Sequence, residues 1–177
     1  MTENNEKLNP QIYVACLASY NVGIIHGEYI DATLEADEIK EEIQIVLESS
    51  PIKDAEEYAI HDYEDFCGAQ LGEYPELENV SNVAKFLVKH GKLGAEVLSH
   101  FSCDLEEAIE AIEEQYLGEH ESLEDYAQEY VEQSGLNIPE SIKNYVDYES
   151  MGGDMELGGD LFTIETGYKE VHIFTNH

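Results

Sequence analysis

The chain has 177 residues and a formal net charge of −32, from 40 Asp and Glu against 8 basic side chains. Charge of that sign repels phosphates and anionic lipid headgroups, which excludes conventional binding to nucleic acid or to a membrane surface. Hydrophobic residues make up 42%, with 12 Tyr and 5 Phe, so a core is affordable and a disordered acidic tail is excluded.

All the basic residues are lysine. Residues 1–60 carry 13 acidic and 3 basic side chains, residues 61–103 carry 7 and 3, and residues 104–177 carry 20 and 2. The acidity therefore belongs to folded elements along the whole chain. No run approaches the ~18 apolar residues of a membrane span, and the polar, acidic residues 1–6 are unlike a secretory leader. Cys16, Cys67 and Cys103 are odd in number and widely spaced. They read as small buried thiols in a reducing compartment, which makes the expected location cytoplasmic.

In chain order, residues 11–18 (QIYVACLA) form a β-rich apolar run ended by the turn SYNVG, and residues 24–31 (IIHGEYID) read as the hairpin partner. Thr33 is placed to cap a helix from Glu35 to Leu47, in which Ile39, Ile43, Val46 and Leu47 share a face. Glu35, Glu38, Glu41 and Glu42 fall on its other faces. Residues 56–63 return as a third strand. The first 74 residues then form a ββαβ-like module with one helix on a small antiparallel sheet.

Residues 79–90 and 93–101 predict two short helices punctuated by Gly91 and Gly94, the basis of a central helical module over 75–111. Asp104 is a suitable N-cap for the next helix, with Leu105, Ala108, Ile109 and Ile112 as its apolar stripe. Glu106, Glu107, Glu110, Glu113 and Glu114 lie opposite. At ~1.5 Å per residue these five span about 12 Å, or one charge per ~2.4 Å. Duplex DNA carries one per ~1.7 Å. A further helix has Leu123, Tyr126, Ala127, Tyr130 and Val131 inward, with Glu121, Glu124, Asp125 and Glu132 outward. A short helix over 140–147, a Gly-rich turn, and strands over 160–165 and 169–174 complete a C-terminal module, residues 112–177. The fold class is α+β, read as an elongated series of three small modules.

No catalytic constellation stands out among so many carboxylates. His61 beside Asp62, Glu64 and Asp65 reads as a solvated strand end. The histidines show no HxH, HExxH or HxxxH spacing, and residues 154–165 fail as a calcium loop because Gly158 offers no ligand where one is required. No Ser or Cys nucleophile motif and no phosphate loop occurs, so neither an enzyme nor a cofactor or metal is expected. Tyr13, Tyr29, Tyr58, Tyr126 and Tyr130 read as core or rim residues with one wet end.

Two blocks carry a resemblance. The first is PQIYVACLASYNVGIIHGEYIDA (residues 10–32) continuing to AIHDYE (59–64), and the second is IPESIKNYVDYESMGGDMELGGDLFTIETGYKEVHIF (138–174). Together with the charge they resemble the ArdA family of antirestriction proteins, with Tyr145, Val146, Asp147, Tyr148 and Glu149 at the family's antirestriction motif. The middle of the chain matches more loosely, mainly at residues 98–101 (LSHF). The chain departs from the family at Glu28-Tyr29, where relatives commonly carry Arg-Trp, and at Gly153, where an Arg is usual. Both departures add negative charge.

The resemblance implies a homodimer joined through the C-terminal module. It also implies an acidic mimic of bent DNA that occupies the DNA-binding groove of type I restriction–modification enzymes. On that reading the phosphate mimics are Glu35, Glu38, Glu41 and Glu42 in the first module. Glu106, Glu107, Glu110, Glu113, Glu114, Glu121, Glu124, Asp125 and Glu132 do the same further on. Tyr145, Asp147 and Tyr148 are read as structural residues at or near the dimer contact. An acidic module that sequesters another basic DNA-binding protein or defence nuclease is the alternative.

Overall fold

The computed structural model describes residues 8–176. They form a mixed α+β protein with two three-stranded antiparallel sheets. The chain divides into two compact units between Leu105 and Glu106.

In the first unit, β1 (Gln11–Cys16) lies between β2 (Gly27–Asp31) and β3 (Tyr58–Glu64). The register sets Ile12 opposite Ile30 and Tyr13 opposite Tyr29, the pairing expected of the predicted hairpin. The first run is shorter than predicted, because Leu17–Asn21 turns into a one-turn helix, α1. Buried Ser19 draws that turn inward through a 2.9 Å bond to Ser50 Oγ. The Cys16 amide then closes on the His26 carbonyl at 2.9 Å, and residues 24–26, expected in the second strand, stay outside it.

Helix α2 (Ala36–Glu48) buries Ile39, Ile43, Val46 and Leu47, the predicted face. Thr33 does not cap it. Its amide and hydroxyl both bond to Asp31 Oδ1, at 2.8 and 2.6 Å. The cap is Glu35, in a reciprocal capping box with Glu38.

Helix α3 (Leu77–His100) bends at Gly91, whose φ of 56° and ψ of −137° suit only glycine. The sequence divides its two predicted helices at the same place. Val80, Val83, Ala84, Phe86 and Leu87 are buried before the bend, and Val97 and Leu98 after it. Buried Ser81 donates to the Leu34 carbonyl at 2.6 Å, and Lys85 pairs with Glu35 at 2.6 Å, so α3 is tied to the start of α2.

The second unit opens with α4 (Leu105–Glu110), which runs into a π-helical turn at Ala111–Gln115. There follow β4 (Tyr116–His120), α5 (Leu123–Gln133), a 3₁₀ turn at Lys143–Tyr145, α6 (Tyr148–Leu157), β5 (Leu161–Gly167) and β6 (Glu170–Thr175). Strand β6 is central, between β4 and β5. Its Ile173 and Phe174 are fully buried, and Phe174 meets Tyr116 and Phe162 at ring separations of 5.1 and 4.9 Å.

Several expectations change here. The residues buried along α4 and the π turn are Ala108 and Ala111, both fully buried, while Ile109 is exposed. Strand β4 was not foreseen. The helix expected over 140–147 reduces to the 3₁₀ turn, and the expected Gly-rich turn is α6 itself. Of the three thiols only Cys16 is buried; Cys67 is exposed and Cys103 half-buried.

Candidate functional site

All thirteen carboxylates predicted to face outward are exposed. The reason is periodicity: once Ile39, Ile43, Val46 and Leu47 commit α2 to the core, Glu38, Glu41 and Glu42 have only the solvent side. Likewise Ala127 and Val131 fix the inner face of α5 and turn Glu124, Asp125 and Glu132 outward.

Exposure is common to them, but their local duties differ. Glu35 caps α2 and is bonded by Lys85, while Glu38 accepts the Glu35 amide at 3.0 Å. Both oxygens serve the helix start, where negative charge also opposes the macrodipole favourably. Glu121 is paired with Lys169 at 2.6 Å, and that hydrogen bond, with the nearby carboxylate charge, raises the lysine above its ordinary value. Asp125 bonds through its amide and its carboxylate to Ser122, the N-cap of α5. Glu132 accepts from Gln128 at 3.1 Å.

The carboxylates of α4 carry a geometric correction. Glu106, Glu107 and Glu110 follow α-helical steps, but Glu113 and Glu114 lie on the π turn, where bonding is i to i+5. The even spacing along a straight α-helix therefore holds for the first three only. Other exposed acids were missed, Glu119 and Glu129 among them. Glu119 is exposed on β4, and exposed Glu129 on α5 meets His120 at 2.8 Å and Gln133 at 2.6 Å. Recognising Glu119 requires β4, and Glu129 lies on the same solvent-facing side of α5 as Asp125 and Glu132, so its helical spacing was available.

Charge density differs between the units. Residues 106–177 hold 19 Asp and Glu against 2 Lys, and residues 1–105 hold 21 against 6. Among the described residues no group of three His, Cys, Asp or Glu is placed to hold a metal ion, and no helix is long and apolar enough to cross a membrane.

The segment 145–149 joins the 3₁₀ turn to α6. Tyr145 is 85% exposed, Val146 and Tyr148 are half-buried, and Glu149 is exposed. Asp147 is the N-cap of α6 and accepts from the Ser150 amide at 2.9 Å and its hydroxyl at 2.8 Å. Those two bonds hold its carboxyl below the ordinary carboxylate value. A family model described as antirestriction protein (ArdA) matches residues 12–170, a span that takes in the first sheet almost whole, this segment, and β4 and β5 of the second sheet, and ends at the start of β6. The chain belongs to the ArdA family. No curated protein matches it. ArdA proteins are antirestriction proteins, so the family acts against restriction enzymes and is not a known enzyme family. In this ArdA chain exposed carboxylates are spread over both units.

Proposed function

We propose that this protein inhibits type I restriction–modification enzymes by imitating DNA, competing for the groove that binds the duplex. The observation that carries the reading is the exposure of all thirteen predicted carboxylates, eleven of them on helical segments of the two units and Glu35 and Glu121 just ahead of a helix. Carried on or next to helices, they present negative charge from a backbone that needs little further ordering on binding, as phosphates do on a duplex. Long-range attraction to a cationic groove speeds encounter, and many weak carboxylate–Lys and carboxylate–Arg pairs hold the complex. No bond is made or broken.

Two copies would associate through the second unit, with Tyr145, Asp147 and Tyr148 at or near the contact. Support for that part comes from Tyr145, a large side chain left 85% exposed beside a well-capped helix. Such a pair carries twice the 32 net negative charges of one chain, the phosphate complement of about 32 base pairs.

The test is a competition titration. A type I restriction–modification enzyme bound to labelled duplex is challenged with the protein at low and at raised salt. Displacement at about one dimer per DNA site, weakening as salt rises, is expected. Absence of displacement at every salt concentration would remove this target and send the acidic surface in search of another basic partner.

A further inference from the structure

Large apolar side chains lie exposed in close succession from the end of α1 through the α1–β2 loop. Tyr20 is 60% exposed, Val22 61%, Ile24 42% and Ile25 90%, all within six residues of a chain with a net charge of −32. Scattered exposed aliphatics are ordinary, but a contiguous group of this kind marks a contact surface.

The loop is not slack. The amides of Val22 and Ile24 both bond to the Ser19 carbonyl, at 3.1 and 3.0 Å, and that of Gly23 bonds to the Tyr20 carbonyl at 3.0 Å. Ser19 itself is buried and anchored to Ser50, and His26 Nε2 is 2.8 Å from the Val46 carbonyl on α2. Apolar groups held in advance on a hydrogen-bonded frame lose little entropy when covered. Tyr20 packs edge-on against His61 at 5.1 Å, and both line an open cavity of about 390 Å³ with Asp62 and Glu73 on its wall. No lysine lines it.

We propose that this loop is a second, apolar contact on the same cationic partner, seated beside the DNA-binding groove, with a basic side chain of that partner entering the adjoining acidic cavity. The proposal rests on the reading of the protein as a DNA mimic. Charge complementarity selects the occupant: a second copy of this chain would bring like charge against Asp62 and Glu73, whereas the rim of a DNA-binding groove brings Lys and Arg. DNA offers no such apolar patch at its phosphates. The loop thus gives the mimic affinity that salt does not screen and that the nucleic acid cannot match.

Salt dependence separates the two kinds of contact. The test repeats the competition against labelled duplex on a type I restriction–modification enzyme over a salt series. It uses the native protein, the double variant Val22→Ser/Ile25→Ser, the single variant Ile25→Ser, and Glu106→Gln/Glu110→Gln. An unchanged melting temperature certifies each fold, and the single variant serves if the double one fails to fold. The double Ser variant is expected to compete roughly 10- to 100-fold less well, by the same factor at every salt concentration. The double Gln variant is expected to flatten the salt dependence instead. Full competition by both Ser variants would overturn the loop contact and leave mimicry standing. A native protein that never competes would overturn mimicry and the loop contact together. A Ser variant with an altered oligomeric state by sedimentation would make the loop a self-association surface and overturn the proposal.

Discussion

His172 lies buried on β6 with its Nδ1 2.8 Å from the Tyr116 hydroxyl and its Nε2 3.0 Å from Thr166 Oγ1. Thr166 donates its hydroxyl proton to Glu170 at 3.0 Å, so it accepts from Nε2–H, and Nδ1 is left to accept from Tyr116. A second ring proton would break that pattern, and burial holds the imidazole below its ordinary value against the weaker pull of Glu119 and Glu170. The unfolded chain therefore takes the proton first. Stability from the neutral ring is complete above about pH 6.5 and is lost as pH falls below it, before carboxylates titrate near pH ~4. Thermal melts should show the gap between native protein and His172→Gln narrowing from pH ~7.5 to ~5.5. A gap of constant width would exclude His172 as the source. Asp147 behaves in the opposite pH range. Its carboxylate is held down by Ser150, so its contribution is present above about pH 4 and fades below it. Asp147→Ala should lower the melting temperature at neutral pH by about 2–5 °C, while Asp147→Asn, which keeps a capping oxygen, should lower it less.

Helix α6 shows how packing overrides local preference. A Cβ on Gly152 would stand 2.6 Å from the Leu123 carbonyl oxygen on α5, whereas one on Gly153 would meet nothing within 4 Å. Gly152→Ala should therefore destabilise by about 1–3 kcal/mol, and Gly153→Ala should stabilise by about 0.5–1 kcal/mol, measured by chemical denaturation. Equal effects from the two would mean that helix propensity, not the α5–α6 contact, governs the site. This pair also explains what the sequence concealed. Two adjacent glycines imply a turn when only propensity is visible, and nothing local announces that one of them admits a neighbouring backbone. Strand β4 was hidden in a similar way by Gly118, whose φ of +131° interrupts a five-residue run beside a register shift. What was legible followed burial: α2, α3, α5 and the strands β1, β3, β5 and β6 each commit an apolar face whose spacing gives the element away. The acidic surface was legible as the complement of those faces. The local bonds of Glu35 and Asp125 at their helix starts were not, because a side chain's bond to a nearby amide or hydroxyl leaves periodicity unchanged.

Over the whole molecule, one property pulls folding and binding in opposite directions. A formal charge of −32 repels itself in the folded state, and Lys–carboxylate pairs such as Lys85–Glu35 and Lys169–Glu121 are exposed and relieve little of it. Added salt screens that repulsion as the Debye length falls from about 30 Å at 0.01 M to about 10 Å at 0.1 M. The melting temperature should therefore rise with salt, with much of the gain reached by ~0.1 M, where screening already covers the distance between neighbouring surface charges. Inhibition of the restriction enzyme should weaken over the same range, because the same screening acts on the attraction between protein and groove. Opposed slopes for stability and inhibition are the mark of a surface acidic for the sake of a partner. A protein acidic for solvation in brine would instead need molar salt to fold at all. Differential scanning calorimetry and the competition titration, run in matched buffers, check both slopes. Single Glu→Gln changes at Glu41, Glu110 or Glu132 should each shift inhibition less than about fivefold, since an exposed pair contributes only ~0–1 kcal/mol. A single such change that abolished inhibition while its neighbours did nothing would replace the distributed surface with a local site. The distributed form also accounts for a chain with no arginine, since a decoy of phosphates gains nothing from guanidinium groups that would pair with its own carboxylates.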